Sequence, residues 1–155
     1  MTTAKTAATG VLLAAVLALG ACGSTAMRPS SAMGPGTVLM TTQLSGASEV
    51  PPVSGIAGGS AEVSYNQGTN MLRWTVTYSG LSGLATGGHL HGPAMAGENA
   101  PVAIPFNGSL ASPISGGVIL SPAQASDLLA GKWYVNIHTQ ANPGGEIRGQ
   151  VVRVN

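Results

Sequence analysis

Charged and aromatic side chains are scarce in this chain, and their scarcity excludes one large class of partners. Charged residues make up 7% of the 155 residues, aromatic residues make up 4%, and the formal net charge is +1 at pH 7. Proteins that bind nucleic acid neutralise its phosphates with clustered lysine and arginine. This sequence has no such cluster, so we expect no nucleic-acid partner.

A long apolar run is also missing. Behind Lys5, the apolar centre of the N-terminal segment extends only from Val11 to Leu19, whereas a helix that spans a bilayer needs about 20 residues. A basic residue followed by a short apolar centre is typical of a secretory signal peptide. We therefore predict a signal peptide over residues 1–21 and export of the chain.

Cysteine occurs once, at Cys22, so an intramolecular disulfide is excluded. Cys22 ends the sequence "LGAC", which resembles the lipobox of bacterial lipoproteins, whose small residues fit the signal peptidase and whose cysteine takes up diacylglycerol. The resemblance implies lipidation of Cys22 and anchoring to the bacterial cell envelope, because two or more acyl chains hold a protein on a bilayer. An ordinary secretory signal with a chance cysteine is the alternative.

Composition separates a tether from a folded domain after the predicted cleavage point. Residues 22–36 are rich in glycine, proline and serine and show no apolar periodicity, which is typical of a flexible tether. Gly23 stands where inner-membrane lipoproteins have aspartate, which favours the outer membrane if the host has one. Residues 37–155 are numerous enough for one domain with a buried core.

Apolar and polar residues alternate along much of residues 37–155. In 71–79, Leu72, Trp74 and Val76 share one face of an extended chain, which predicts a half-buried strand. The same period upstream predicts a strand around 61–65 and a hairpin loop after it. Further strands are predicted at 37–44, 88–91, 101–106, 116–120, 132–138 and 146–154.

One segment interrupts the series of strands. Ser121 is a suitable N-cap, Pro122 suits the first helical position, Gln124 completes a capping box, and Gly131 is a suitable stop. These residues predict a helix of about two turns. The fold class is therefore all-β, an antiparallel β-sandwich or Greek-key barrel with one short helix.

Three ordered blocks resemble those of the CHRD domain, named after the developmental protein chordin and widespread in bacterial exported proteins. They are "LSGASEVPPVSGIAGGSAEVSYNQGTNMLRWTVTYSGLSG", "HLHGPAMAGENAPV" and "LLAGKWYVNIHTQANPGGEIRGQV". The resemblance runs from about residue 39 to residue 152. Ala100 stands where the family often has glycine, which affects only a local turn. The family's biochemical role is poorly defined, so the resemblance implies a fold more than an activity.

The chain has only three histidines, His89, His91 and His138. Alternation along an extended chain places His89 and His91 on one face and Leu90 on the other. His138 lies on the polar face of the strand predicted at 132–138. If the two strands are neighbours, the three imidazoles converge on one side of the sheet.

Three converging imidazoles indicate a site for copper or zinc with metal–nitrogen bonds of about 2.0–2.1 Å. Such a site leaves one coordination position open, and the side chain of a second protomer can fill it in a metal-bridged homodimer. Met95 and Glu146 are candidates for a further ligand or a supporting partner. The alternative is that the histidines hydrogen-bond the irregular loops beside them, since an imidazole supplies one donor and one acceptor.

The pattern of the histidines is similar to that of copper/zinc superoxide dismutase, a Greek-key sandwich with a His-x-His strand pair. That enzyme holds two metals with six histidines and an aspartate, so three histidines exclude a complete dismutase site. No nucleophile elbow is present. We therefore expect no enzyme activity, with mononuclear copper redox chemistry as the open alternative.

The acidic residues that remain suggest structural roles. Glu146 and Arg148 lie two residues apart on a predicted strand and are expected to form an ion pair, while Glu49 and Asp127 are expected to be solvated or capping. The sequence thus predicts a lipid-anchored envelope protein for metal handling. A metal-free module that binds a protein or a glycan is the alternative.

Overall fold

The computed structural model describes residues 1–3 and 36–154. The chain divides into two units, residues 1–31 and 32–155, and every helix and strand described below belongs to the second unit. Cys22 and nearly all of the predicted signal peptide and tether lie outside the described residues. Within the described ranges, no helix has the length and apolar character required to span a membrane.

The described residues form nine strands, one α-helix and one short 3-10 helix, which confirms the all-β fold class with a single short helix. The strands are β1 (Thr37–Ser45), β2 (Gly58–Asn66), β3 (Met71–Ser79), β4 (Ala85–His91), β5 (Val102–Pro105), β6 (Ile114–Ile119), β7 (Tyr134–Thr139), β8 (Ile147–Gln150) and β9 (Val152–Arg153). The 3-10 helix is Gly46–Ser48 and the α-helix, α1, is Pro122–Leu129.

All strand pairs are antiparallel, and the strand order is β5-β4-β7-β8-β1-β2-β3-β6, with β9 paired to β1. The sheet curls so that its two ends approach each other, because Trp74 of β3 stacks on Phe106, the residue that follows β5, at a ring distance of 5.1 Å. The curled sheet encloses one core. The apolar faces of β3 and β7 both contribute to it, through Leu72, Val76 and Val135 among others.

The predicted helix forms as its sequence indicates. The Ser121 side chain accepts a hydrogen bond from the Gln124 backbone, and the Gln124 side chain accepts one from the Ser121 backbone. Pro122 is the first helical residue, and Gly131 adopts a φ of +73°, a conformation that favours glycine. Ala125 and Leu128 pack against the core and fix the helix to it.

The strand predicted at 146–154 is instead two strands separated by Val151. The Val151 backbone N–H donates to the Trp133 carbonyl, and the Val151 side chain is fully buried. The chain therefore changes partners, since β8 pairs with β7 whereas β9 pairs with β1.

Strand register decides which side chains meet on the face away from the core. In β4 and β7, Gly87 lies opposite His138, and His89 lies opposite Asn136. Directly opposite residues of an antiparallel pair share a face. This face therefore carries all three histidines, and the predicted arrangement of His89 and His91 on the non-core side is confirmed, with Leu90 fully buried in the core.

Candidate metal centre

His89, His91 and His138 converge on one side of the sheet. One nitrogen from each ring can be chosen so that all three lie within 4.8 Å of one another. Metal–nitrogen bonds of about 2.0–2.1 Å place the ligand atoms of a tetrahedral site about 3.4 Å apart. Small rotations of the side chains therefore suffice to bring the three nitrogens to bonding distance of one ion.

Backbone carbonyls hold two of the imidazoles in one tautomer. Nδ1 of His91 lies 3.0 Å from the carbonyl oxygen of Ala100, and Nδ1 of His138 lies 3.0 Å from that of Pro143. A carbonyl only accepts, so both Nδ1 atoms carry the proton. Both Nε2 atoms then present a lone pair, and a hydrogen bond at the other ring nitrogen is the usual support of a metal-bound histidine.

The two Nε2 lone pairs have different surroundings. His138 Nε2 lies 3.0 Å from His89 Nδ1, which donates its proton to it. His91 is 9% exposed, and its Nε2 is buried without a hydrogen-bond partner among the described residues. A buried polar atom without a partner costs free energy, so this nitrogen is the strongest indication that the cluster takes a ligand.

The electrostatics of the cluster keep all three rings neutral. Burial, with the neighbouring His138 and His91, lowers the pKa of His89 to about 4. Burial also lowers the pKa of His91 and of His138 below the usual value. Neutral imidazole is the form that binds a metal ion, so no proton has to leave an imidazolium at neutral pH.

Gly87 keeps space open above the rings. A methyl group on Gly87 would lie 3.2 Å from Cε1 of His89 and 3.5 Å from Cδ2 of His138. Gly87 lies at an irregularity in the pairing of β4 with β7. The glycine therefore limits the contacts of both half-buried imidazoles without any demand for a left-handed backbone.

Aromatic stacking supports the buried histidine from behind. The ring of His91 is parallel to that of Tyr134, with centroids 4.9 Å apart, and the Arg148 guanidinium lies 3.4 Å from the centre of the Tyr134 ring. The Tyr134 hydroxyl accepts a hydrogen bond from the Ala100 N–H. Ala100, the position that departs from the common glycine, thus links the loop to both His91 and Tyr134.

Met95 and Glu146 stay predictions as partners of the histidines. The Met95 side chain is 55% exposed and belongs to a turn closed by Glu98. Glu146 accepts hydrogen bonds from Ser82, Thr139 and Asn142. The polar partners of His91 and His138 are instead the carbonyls of two loops, which side-chain patterns alone do not identify.

The expected ion pair between Glu146 and Arg148 is absent from the described residues. Glu146 precedes β8, so strand alternation does not place it beside Arg148, and its carboxylate faces the loop at Ser82. Arg148 donates to Asn99 Oδ1 and to the Glu98 carbonyl. Both side chains are buried and serve separate loops.

The expectation that Glu49 is solvated is also wrong. Glu49 is 5% exposed, because the 3-10 helix after β1 brings it over the sheet, where it accepts a hydrogen bond from Asn136. Burial raises the pKa of its carboxyl to about 7, although the nearby Arg148 lowers it. Asp127 lies 3.7 Å from Lys132 in a partly exposed ion pair, the only one among the residues that the structure describes.

The two interpretations of the histidines, as metal ligands and as partners of loops, are compatible in this geometry. His91 and His138 each use one ring nitrogen to hold a loop. The second ring nitrogen of each points to the cluster. The loops thus orient the rings and leave a set of lone pairs together.

Comparison with known proteins gives one family and nothing closer. No curated protein and no solved structure matches this chain. The CHRD domain model matches residues 40–151, which include every strand of the curled sheet except the first three residues of β1 and the last two of β9. The three histidines all lie inside the match. The chain therefore belongs to the CHRD domain family.

Proposed function

We propose that this protein is a cell-envelope lipoprotein whose CHRD domain binds one copper or zinc ion through His89, His91 and His138. Its role is to store, deliver or detoxify the metal. Cys22 carries the lipid and residues 22–36 form the tether. The observation that supports the metal most directly is the buried, unpartnered Nε2 of His91 beside two other imidazoles.

The donor set fits these metals. Imidazole nitrogen suits copper and zinc, and three protein ligands leave a position open for an exchangeable group. A bound copper ion would supply one-electron chemistry, whereas zinc would not. Two half-exposed rings and one buried ring give the ion access from solvent on one side, as an exchange of metal with a partner requires.

His89 has a specific part in metal binding. In the metal-free cluster its Nδ1 proton is donated to the lone pair of His138 Nε2. A metal that takes the His138 lone pair displaces this hydrogen bond, and His89 then binds through whichever of its nitrogens has no proton. His89 therefore closes the site when empty and completes it when occupied.

Metal titration of purified protein tests the proposal. We expect near-stoichiometric binding of Cu(I), Cu(II) or Zn(II), and a loss of affinity of at least about tenfold, or about 1.4 kcal/mol, in each of His89→Ala, His91→Ala and His138→Ala. Protein purified without an affinity tag should carry the metal by elemental analysis. Sedimentation with and without metal tests the metal-bridged homodimer.

Gln67→Ala, in the exposed turn between β2 and β3, is the matched control and should bind as the wild type does. Each His→Ala variant is also unfolded thermally. Variants that unfold at lower temperature, together with a wild type that binds no metal tightly, would overturn the metal proposal. The histidines would then serve the loops alone.

A further inference from the structure

A cavity of about 410 Å³ lies beside the histidine cluster. Its walls are the loops at 47–50 and 96–97 with Arg148 and Gln150 of β8. Arg148 lies opposite Asn136, which lies opposite His89, so cavity and cluster share the face of the sheet away from the core. Sites for small molecules typically measure about 300–1,000 Å³, and this cavity falls within that range.

The cavity contains a buried cation without a direct counter-ion. Arg148 is 2% exposed, and no carboxylate oxygen among residues 36–154 lies within 4.0 Å of its guanidinium nitrogens. Its partners are a side-chain amide oxygen, a backbone carbonyl and the face of Tyr134. Buried charges in proteins are normally paired, and two hydrogen bonds leave three of the five guanidinium N–H groups for another acceptor.

Glu49 does not fully neutralise this charge. Its carboxyl lines the same cavity, but burial raises its pKa to about 7 in spite of the attraction of Arg148. A carboxyl with this pKa is about half protonated at neutral pH. The cavity therefore keeps a net positive wall at Arg148 under these conditions.

The opposite requirement comes from Gln150. Its Nε2 donates to the carbonyls of Ala94 and Gly131, at 3.0 and 2.7 Å, which fixes the orientation of the amide. Its Oε1 is buried and has no hydrogen-bond partner among the described residues. One side of the cavity thus offers a cation, and another offers an acceptor that needs a donor.

We infer that this cavity binds a small carboxylate that also carries a hydroxyl or amino group. The planar guanidinium of Arg148 matches a carboxylate with two parallel hydrogen bonds. The hydroxyl or amino group supplies the donor for Gln150 Oε1. The inference does not depend on a metal at the histidines.

Calorimetric titration of the metal-free full chain tests it with lactate and glycine, which carry both groups. Acetate lacks the donor, and ethanolamine lacks the carboxylate. We expect lactate or glycine to bind at least about tenfold more tightly than either comparator. Arg148→Met should abolish the binding, and Arg153→Met, which removes an exposed arginine of β9, should not change it.

Because Arg148 also packs on Tyr134, its replacement can destabilise the fold, and a second variant tests the cavity independently. Ala96 is an exposed loop residue in the cavity wall, so Ala96→Leu narrows the cavity without removing any hydrogen bond. It should weaken binding at least about tenfold at unchanged thermal stability. Absence of binding to the wild type at up to about 10 mM lactate and glycine, or unchanged binding to Ala96→Leu, would overturn the inference.

Discussion

Each imidazole of the cluster has two nitrogens, and their division between loop and ligand decides what the site can do. At His91 the loop takes Nδ1 through the Ala100 carbonyl, and the remaining nitrogen is buried without a partner. A carbonyl at Nδ1 makes the imidazole more basic and fixes its plane. The same bond that holds the loop therefore prepares Nε2 as a ligand atom.

Gly87 should control access to the site at the scale of a single methyl group. In Gly87→Ala the new methyl lies 3.2 Å from Cε1 of His89, so the ring has to move by a few tenths of an ångström. We expect a loss of metal affinity of about tenfold, or about 1.4 kcal/mol, with little change in thermal stability because the backbone conformation suits alanine. Competition titration against a chromophoric chelator measures the affinity.

Gly83→Ala is the matched control, because a methyl group there meets nothing within 4 Å. It should bind metal as the wild type does. If Gly87→Ala also binds as the wild type does, the ring of His89 is free to move aside, and the position of Gly87 above the cluster has no part in binding.

At the scale of elements, Glu146 joins two loops at one end of the sheet. Its carboxylate accepts hydrogen bonds from the Ser82 backbone and side chain, in the loop before β4, and from Thr139 and Asn142, around the loop after β7. The His138 partner Pro143 belongs to the second loop. Glu146 therefore supports the site indirectly, through the position of that loop.

Glu146→Gln should destabilise the protein by about 1–3 kcal/mol, because an amide nitrogen faces donors that the carboxylate accepted. Burial raises the pKa of Glu146, but its hydrogen bonds outweigh burial and hold the pKa below the usual 4.5. The unfolded chain thus takes up the proton first as pH falls. The stabilisation is present above pH 4.5 and is lost as pH falls through the lower, folded pKa.

Denaturant unfolding at pH 7 and in acid measures this difference. Glu62→Gln changes an exposed carboxylate of β2 and should stay within about 0.5 kcal/mol of the wild type. A Glu146→Gln variant as stable as the wild type at pH 7 would mean that the two loops hold each other without the carboxylate.

The elements themselves could largely be predicted, since they depend on local patterns. Alternation in β3 and the capping box at Ser121 both specify their structures within a few residues. The break at Val151 could not be predicted, because it arises when a buried valine bonds the distant Trp133 carbonyl. Strand pairing that changes over a single residue leaves no periodic trace.

At the scale of the molecule, the histidine cluster was predictable and the cavity beside it was not. Period-two alternation assigns His89 and His91 to one face, and the remaining condition was that β4 and β7 pair, which they do. Glu49 and Arg148 meet at the cavity only because two irregular loops close over a polar face. Loop paths depend on tertiary contacts, so burial of these charges has no signal in the local sequence.

The proposed anchor can be tested on the whole chain, since Cys22 precedes the CHRD domain and lies outside the described residues. Lipidation should place the wild type in the membrane fraction of a bacterial host, whereas Cys22→Ser should be exported and released, because no acyl chain then holds it. Fractionation and labelling with a fatty acid measure the two effects. Metal binding should be equal in the two proteins, because the cluster is built from β4 and β7 alone. A Cys22→Ser protein that stays in the membrane fraction would contradict the lipid anchor and leave the metal proposal unaffected.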